Sequence, residues 1–184
     1  KRLLAYSGIA QAGFIIVGLV AFNQTGFESA AFYMTVYVII NIAVFLLIDL
    51  VGQNSPTLAS IAGKGETMPF LCVCFTLLMV ALVGLPPTAG FTAKLLVFSA
   101  LWEAYQATGD QLLIILLIVG ILNAVISLFY YFKVPFYLFF RANPSSVAPD
   151  KIPYVGSLTV SLLTLTVLFL FFKADWLVDW IKAL

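Results

Sequence analysis

The stretch GLPPTAGFTAKLLVF, residues 84–98, places two adjacent prolines, two glycines and a lysine inside very apolar sequence. Proline has no N–H group, so Pro86 and Pro87 cannot donate helical hydrogen bonds to the carbonyls four residues earlier. Gly84 and Gly90 flank the prolines and permit backbone angles that other residues resist. The stretch therefore predicts a break between two helical segments.

Composition places this break in a membrane. Hydrophobic residues make up 63% of the 184 residues and charged residues 9%, whereas a soluble domain is roughly half apolar and about a quarter charged. We therefore predict an all-α, polytopic bundle of helices in a lipid bilayer. Irregular backbone at membrane depth is tolerated only where it is buried in protein or lines a wet cavity, so the break marks a candidate site.

Five apolar runs are long enough to cross a bilayer, which takes about 20 residues as helix. Four of them have ordinary lengths: residues 3–22, 29–50, 112–132 and 154–172. The fifth run, residues 69–102, is too long for one straight span, because an unbroken helix of that length would reach about 51 Å across a core of about 30 Å. We therefore predict five transmembrane helices, of which the third is discontinuous and broken at residues 84–89.

Lysine and arginine counts predict the orientation, because these residues are retained on the cytoplasmic side. With a single broken crossing, six of them lie on the face that carries Lys1 and two on the other face. If residues 69–102 instead formed a hairpin of two spans, the split would be five to three. The single crossing is favoured, with Lys1 inside and Leu184 outside.

Both ends of the chain carry a further prediction. The sequence begins with Lys1 directly before a span, and we interpret it as a fragment of a longer chain. Residues 174–184 would place Trp and aliphatic side chains on one helical face and Asp and Lys on another. This pattern is typical of a helix lying in the membrane interface, and a frayed helix end with aromatic anchors is the alternative.

Lys94 lies one turn into the second helical segment. Because helical side chains lean toward the N-terminus, its ammonium group is expected to reach back to the carbonyls that the prolines leave without helical donors. A lysine that snorkels to the headgroups is the alternative, although its chain would have to extend against that lean. Intramembrane charges are costly and usually mark ion pathways, so we interpret Lys94 as a residue that binds and releases protons.

Polar residues at helical spacing could extend a proton path from Lys94. They are Ser7 and Gln11 on the first predicted span, Tyr33, Tyr37 and Asn41 on the second, and Asn123, Ser127 and Tyr130 on the fourth. For each of them, a hydrogen bond that simply holds two helices together is the alternative.

The composition excludes the usual redox and metal centres from this chain. It has no histidine, and its two cysteines, Cys72 and Cys74, are two residues apart on a predicted helix. Their side chains therefore point to nearly opposite sides and cannot share a metal ion. A haem, an iron–sulfur cluster or a zinc site of the usual type is excluded, and we predict no cofactor.

Three motifs carry a resemblance to a known family: KRLLAYSGIAQAGF at residues 1–14, GLPPTAGFTAK at 84–94 and LFYYFKVPF at 128–136. They resemble the antiporter-like subunits of respiratory complex I, the proton-pumping NADH:quinone oxidoreductase. The tyrosine pair before a basic residue favours the N-type subunit, called subunit 2 in mitochondria. The resemblance covers essentially the whole chain and implies the last five of fourteen helices, the second of two inverted repeats.

The resemblance also implies roles. Lys94 matches the family's lysine in the second broken helix, which takes part in proton release, so the chain would hold half of a proton channel in a non-redox subunit of the enzyme. Flavin, iron–sulfur clusters and quinone would be elsewhere in the complex. The implied partners are other membrane subunits, the N-terminal part of the same subunit and lipid, with no nucleic acid, in a bacterial cytoplasmic or equivalent organellar membrane. Gln11 stands where many relatives have histidine, and glutamine carries a proton only through water.

Other functions stay open from the sequence. The first two motifs are shared with multisubunit sodium/proton antiporters and membrane-bound hydrogenases, so a subunit of one of those assemblies is the main alternative. The carboxylates nearest the predicted spans all fall at span ends, which favours protons over sodium: Glu28, Asp49, Glu103 and Asp110. A purely structural helix bundle is a third possibility, but it leaves the position of Lys94 unexplained.

Overall fold

The computed structural model describes residues 2–52, 57–141 and 153–183. Every regular element within these ranges is a helix. The helices are α1 (Arg2–Val20), α2 (Gln24–Gly52), α3 (Lys64–Thr67), α4 (Pro69–Val83), α5 (Ala89–Thr108), α6 (Gln111–Tyr131), α7 (Lys133–Phe140), α8 (Tyr154–Phe172) and α9 (Ala174–Lys182). The predicted all-α class is therefore confirmed for the described part of the chain.

Four helical stretches in these ranges are long and apolar enough to cross a membrane. They are Leu3–Val20, Gln24–Gly52, Gln111–Phe140 and Tyr154–Phe172, and Pro69–Val83 is a shorter apolar helix. Length and composition thus agree with a polytopic membrane protein. The third of these stretches includes both α6 and α7, because only Phe132 separates the two helices.

Two helix boundaries differ from the prediction for local reasons. Helix α2 begins at Gln24 rather than at residue 29, because the Asn23 side chain caps it by accepting a hydrogen bond from the Gly26 N–H at 2.7 Å. After α6 the chain continues directly into α7. Pro135 has no N–H to donate to the carbonyl of Tyr131, which accounts for the interruption between these two helices.

Helices α4 and α5 together run along the full length of α2 in the opposite direction. Near the start of α4, Lys64 Nζ donates to the carbonyl of Val51 at the C-terminal end of α2. Near the end of α5, Glu103 accepts a hydrogen bond from Thr25 Oγ1 at 2.8 Å, at the N-terminal end of α2. Since α4 begins beside one end of α2 and α5 ends beside the other, the pair extends from one end of α2 to the other.

The break between α4 and α5 covers residues 84–88, close to the predicted 84–89. Gly84 has φ 85° and ψ 52°, the left-handed conformation that favours glycine. Its N–H donates to Ala81 O at 3.1 Å and the N–H of Leu85 donates to Val80 O at 3.2 Å. This is a Schellman motif, so the chain ends α4 with an ordinary C-terminal cap at the middle of the bundle.

Helix α9 covers most of the amphipathic stretch that the sequence predicts at residues 174–184. Leu177 is buried, and Val178 and Ile181 pack partly against the same core, whereas Trp176 and Trp180 are exposed. Lys182 Nζ lies 3.9 Å from a carboxylate oxygen of Glu28. The aliphatic members of the predicted apolar face thus pack against the bundle and its tryptophans stay exposed, and the location of this helix in the membrane interface stays a prediction.

The predicted orientation depends partly on residues outside the described ranges. These are Lys1, Leu184 and residues 142–152, which lie between the predicted fourth and fifth spans.

Candidate functional site

Lys94 lies on α5 and its ammonium group caps the C-terminal end of α4. Nζ donates to the carbonyl oxygen of Val83 at 2.6 Å and to that of Leu82 at 3.2 Å. These are the two carbonyls that would have accepted from Pro86 and Pro87 in an unbroken helix. Lys94 is 5% exposed, so a lysine that snorkels to the surface does not fit this geometry. The carbonyls are also not left free, because Lys94 itself satisfies them.

The charge of the Lys94 ammonium is balanced by dipoles and an aromatic ring. The ring centroid of Phe14 lies 4.7 Å from Nζ, a cation–π distance, and the last carbonyls of α4 present the negative end of the helix dipole. Among the residues that the structure describes, the ion pair found is Lys182 with Glu28 and does not involve Lys94. The site therefore stabilises a cation without a carboxylate partner.

Gln11 is the second polar residue at the break. Its Nε2 donates to Leu82 O at 3.0 Å, the carbonyl that Lys94 also uses. The same Nε2 donates to the Tyr131 hydroxyl at 3.0 Å, and Oε1 accepts a hydrogen bond from the Tyr33 hydroxyl. One buried amide thus connects α1, α2, α4 and α6 beside Lys94.

Ser7 completes this group of polar residues. Its hydroxyl and that of Tyr131 form a hydrogen bond in which either can be the donor. Ser7 and Gln11 are four residues apart on α1 and both are buried, which agrees with the shared face expected from the sequence. Within the described ranges, every buried side-chain nitrogen and oxygen has a hydrogen-bond partner. We call Ser7, Gln11, Tyr33, Lys94 and Tyr131 the polar cluster.

A crevice of about 10 Å³ adjoins the polar cluster, which is roughly the space that one water molecule requires. It lies between the middle of α2 and the break, and its lining residues include Gln11, Tyr33, Tyr37, Leu82 and Gly90. The crevice thus offers polar side chains from two helices to a small polar guest.

Two glycines make the close packing at the break possible. A Cβ on Gly90 would overlap the carbonyl oxygen of Ala81, so only glycine allows α5 to approach α4 this closely. A Cβ on Gly84 would lie 2.7 Å from Cδ of Lys94, in the space that the lysine side chain occupies. Gly84 therefore leaves room for the Lys94 side chain, and Gly90 lets α5, which carries Lys94, pack close to α4.

The other sequence-predicted residues differ in how they relate to the polar cluster. Ser127 is buried, but its hydroxyl donates to Ala124 O of its own helix at 2.6 Å. Tyr130 packs its ring on that of Tyr131, with centroids 4.6 Å apart, and its hydroxyl forms hydrogen bonds with Tyr131 and Ser127. Asn123 is half-buried. Pro86 and Pro87 are joined by a cis peptide bond and are exposed on the surface of this chain.

Two residues of the site are absent from the sequence-based candidates. Tyr131 is 0% exposed and bonds both Ser7 and Gln11, whereas the sequence favoured its neighbour Tyr130. The signal was the spacing of small residues at Gly120, Ala124 and Ser127, which leads to Tyr131 on the same helical face. Phe14 follows Ser7 and Gln11 at helical spacing and could have been found from that pattern.

The chemistry that this arrangement permits is proton binding by a single buried amine. Across the described ranges, no group of three or more His, Cys, Asp or Glu side chains could hold a metal ion. Lys94 has acceptors on one side and an aromatic face beside it, so its charged form has partners although it is removed from water. An amine held in this way can take up and release a proton when its polar surroundings change.

Comparisons with known proteins identify the family and agree with the fold. Residues 1–127 match the family described as NADH:quinone oxidoreductase/Mrp antiporter, transmembrane. NADH-quinone oxidoreductase subunit N 2 of Chloroherpeton thalassium is 37% identical over 173 residues, which cover 92% of this chain and 33% of that protein. The chain thus spans about a third of the length of that relative.

Solved structures of membrane complexes show the same fold. A chain of respiratory complex I from Thermus thermophilus superimposes with a TM-score of 0.80 at 27% identity, over 97% of this chain and 39% of that one. A chain of the Mrp complex from Dietzia superimposes with a TM-score of 0.78 at 20% identity, over 96% and 40%. The second likeness shows the fold alone. The chain therefore belongs to the transmembrane family shared by NADH:quinone oxidoreductases and Mrp antiporters.

Proposed function

We propose that this chain is part of a non-redox, proton-translocating membrane subunit of an NADH:quinone oxidoreductase. The observation that carries the proposal is Lys94, a buried amine that caps two backbone carbonyls at a helix break in the middle of the bundle. The names of similar proteins, such as subunit N 2 of C. thalassium, support this enzyme as the parent complex.

In this proposal the chain supplies half of a proton channel and other parts of the enzyme supply the redox energy. Lys94 takes up a proton from water beside it and releases it when its surroundings change. The chain needs no cofactor of its own, because flavin, iron–sulfur clusters and quinone would be bound by other parts of the complex. Its partners would be other membrane subunits, lipid and the N-terminal part of the same subunit.

We further propose five membrane crossings, with α4 and α5 forming one of them. The contacts of Lys64 and Glu103 with opposite ends of α2 support a single crossing. The polar cluster would then lie near the middle of the bilayer, and the start of the chain would face the inside. A bacterial cytoplasmic membrane, or the equivalent organellar membrane, is the location that fits this enzyme.

A subunit of a sodium/proton antiporter is the second candidate, and the likeness to the Mrp complex concerns only the fold. Purification of the tagged full-length subunit from its native membrane separates the two candidates. We expect peripheral subunits with NADH:quinone oxidoreductase activity to copurify, and the purified complex in vesicles to take up protons on NADH addition without sodium. Recovery of membrane antiporter subunits alone, with sodium-dependent proton exchange, would contradict the proposal.

A further inference from the structure

The Gln11 side chain uses both hydrogens of its NH₂ group and its carbonyl oxygen in hydrogen bonds near the break. Both hydrogens of Nε2 are engaged, one with Leu82 O and one with the Tyr131 hydroxyl, each at 3.0 Å. Oε1 accepts from Tyr33. Because the Leu82 carbonyl can only accept, its contact with Gln11 fixes the NH₂ end of the amide at the break and leaves Oε1 for Tyr33. With 3% exposure, the amide has no competing contact with bulk water.

The direction of these hydrogen bonds does not allow a proton to hop along them. Each member of a proton-conducting chain must accept a hydrogen bond on one side and donate one on the other. Leu82 O accepts from both Lys94 and Gln11, and Gln11 Nε2 donates on both sides. The direction of donation therefore reverses twice between Lys94 and Tyr131, once at Leu82 O and once at Gln11 Nε2. In addition, a backbone carbonyl and an amide NH₂ group do not exchange protons readily.

The shared carbonyl gives Gln11 a second effect on Lys94. Leu82 O receives two donors, and the Lys94 ammonium lies closer to Val83 O, at 2.6 Å against 3.2 Å. A carbonyl that already accepts from an amide is a weaker partner for the cation, so Gln11 influences where the ammonium rests. The amide in turn is held by Tyr33 and Tyr131 from two other helices.

We infer that Gln11 is a positioning residue that fixes the Leu82 carbonyl beside Lys94 and insulates Lys94 from the Ser7–Tyr131 pair. This inference rests on the proposed function of Lys94 as a proton carrier. Lys94 then exchanges its proton without using the hydrogen bonds of Gln11, and Ser7 and Tyr131 support the amide instead of conducting.

Two substitutions in the full-length subunit of the assembled complex separate this role from that of a proton relay. Gln11→Met keeps the length of the side chain but removes its donors, so Lys94 loses its fixed position and NADH-driven proton uptake falls about tenfold. Gln11→Glu keeps the shape and adds a titrating group. Its carboxyl group would lie next to Lys94 and hold the ammonium in a buried ion pair, so we expect proton uptake below that of Gln11→Met.

A merely structural role would not produce this order, in which proton uptake by Gln11→Glu is below that of Gln11→Met. If Gln11 only filled space, the isosteric glutamate would be the milder change, and if Gln11 relayed protons, glutamate would exceed methionine and approach wild type. Either result, or wild-type uptake by Gln11→Met, would overturn the inference. Thr164→Val on α8 is the matched control, because it removes a buried hydroxyl that bonds Val160 O of its own helix and Cys74 of α4 and lies outside the polar cluster.

Lys94→Ala in the same preparation distinguishes this inference from the proposed function. Loss of uptake in Lys94→Ala together with wild-type uptake in Gln11→Met would overturn the positioning role and leave the function intact. Full uptake in Lys94→Ala would overturn the proposed function and the inference with it. Copurification of the other subunits is measured for every variant, so that a failure of assembly is not counted as a loss of transport.

Discussion

Two lysines of this chain cap the carbonyls of helix C-termini, and they do so in different places. Lys64 Nζ donates to Val51 O at the end of α2, where the helix leaves the bundle, and its side chain is half-buried. Lys94 Nζ donates to Leu82 O and Val83 O at the end of α4, where the helix stops inside the bundle, and it is buried. The capping chemistry is the same, but the surroundings are not.

The difference shows what the proline and glycine cluster achieves. A helix C-terminus carries unpaired carbonyls and the negative end of a dipole, and such ends normally lie at the edge of a bundle, as that of α2 does. The break creates a C-terminus at mid-length, so a lysine can be held there by the backbone without a carboxylate. An ammonium group that is held by neutral dipoles alone can release its proton at a smaller electrostatic cost than one that is paired with a buried anion.

Replacement of each lysine by arginine tests this difference most severely. Arg keeps the charge and can cap carbonyls, but its guanidinium group does not release its proton. We expect Lys94→Arg to lower NADH-driven proton uptake by the assembled complex on the order of a hundredfold, the scale of a lost acid–base group. Lys64→Arg should keep nearly normal proton uptake. Equal losses of uptake in the two variants would contradict the proposed difference between the two lysines.

A carboxylate at position 94 tests whether this position requires a group that can release its proton. Burial makes a carboxylic acid able to bind and release a proton near neutral pH, although it cannot cap the carbonyls of Leu82 and Val83 as a cation does. We therefore expect Lys94→Glu to retain more proton uptake than Lys94→Arg. The reverse order would indicate that position 94 needs a permanent positive charge.

The two glycines Gly90 and Gly13 test whether the close approach of α4 and α5 holds the site. A Cβ on Gly90 would overlap Ala81 O, whereas a Cβ on Gly13 would have no atom within 4 Å. Gly90→Ala should cost about 1–3 kcal/mol of stability by overpacking and reduce proton uptake. Gly13→Ala should be neutral or stabilise by up to about 1 kcal/mol. Thermal stability of the purified complex measures both, and similar shifts would contradict the packing account.

Tyr131→Phe is expected to have a smaller effect. It removes a buried hydroxyl that bonds Ser7 and Gln11, and such interhelical hydrogen bonds contribute on average about 0.6 and at most about 1.7 kcal/mol in membranes. We expect a measurable loss of thermal stability with the complex assembled. Tyr137→Phe is the control, because its hydroxyl accepts from the exposed Arg141 at 2.7 Å and is not part of the polar cluster. An equally large loss of stability in Tyr137→Phe would contradict a special role for Tyr131.

The orientation can be tested without disturbing the site. Single cysteines at positions 105 and 147, labelled from each side of the membrane, should react from opposite sides if α4 and α5 form one crossing. The change at position 105 is expected to leave proton uptake unaffected, because Tyr105 lies near the end of α5 and outside the polar cluster. Labelling of both from the same side would mean that the broken helix is a hairpin.

The break and the reach of Lys94 could be predicted because they depend on local chemistry. Proline lacks a donor, glycine adopts left-handed backbone, and a helical side chain leans toward the N-terminus. Leu82 and Val83 follow from these facts by counting residues. Nothing beyond the stretch from residue 82 to residue 94 was needed.

The polar cluster could be predicted only in part, because it depends on how helices face each other. Ser7 and Gln11 share a face of α1 by spacing alone, but whether α6 presents Tyr130 or Tyr131 depends on its rotation. That rotation follows the packing of α6 against α5, where a Cβ on Gly120 would lie 2.8 Å from the ring of Phe98. The burial of individual residues on the apolar face of α9 also depends on tertiary packing, because Leu177 and Ile181 pack against the bundle whereas the two tryptophans do not.

The central claim is that the helix break exists to hold a proton-carrying lysine. Its most direct test is redox-driven proton uptake by vesicles that contain the assembled complex with Lys94→Ala, beside Lys64→Ala as the matched loss of a capping lysine. Lys94→Ala removes no partner of a buried charge, so we expect normal assembly with uptake reduced on the order of a hundredfold, while Lys64→Ala retains most of its uptake. Wild-type proton uptake by a fully assembled Lys94→Ala complex would contradict the account.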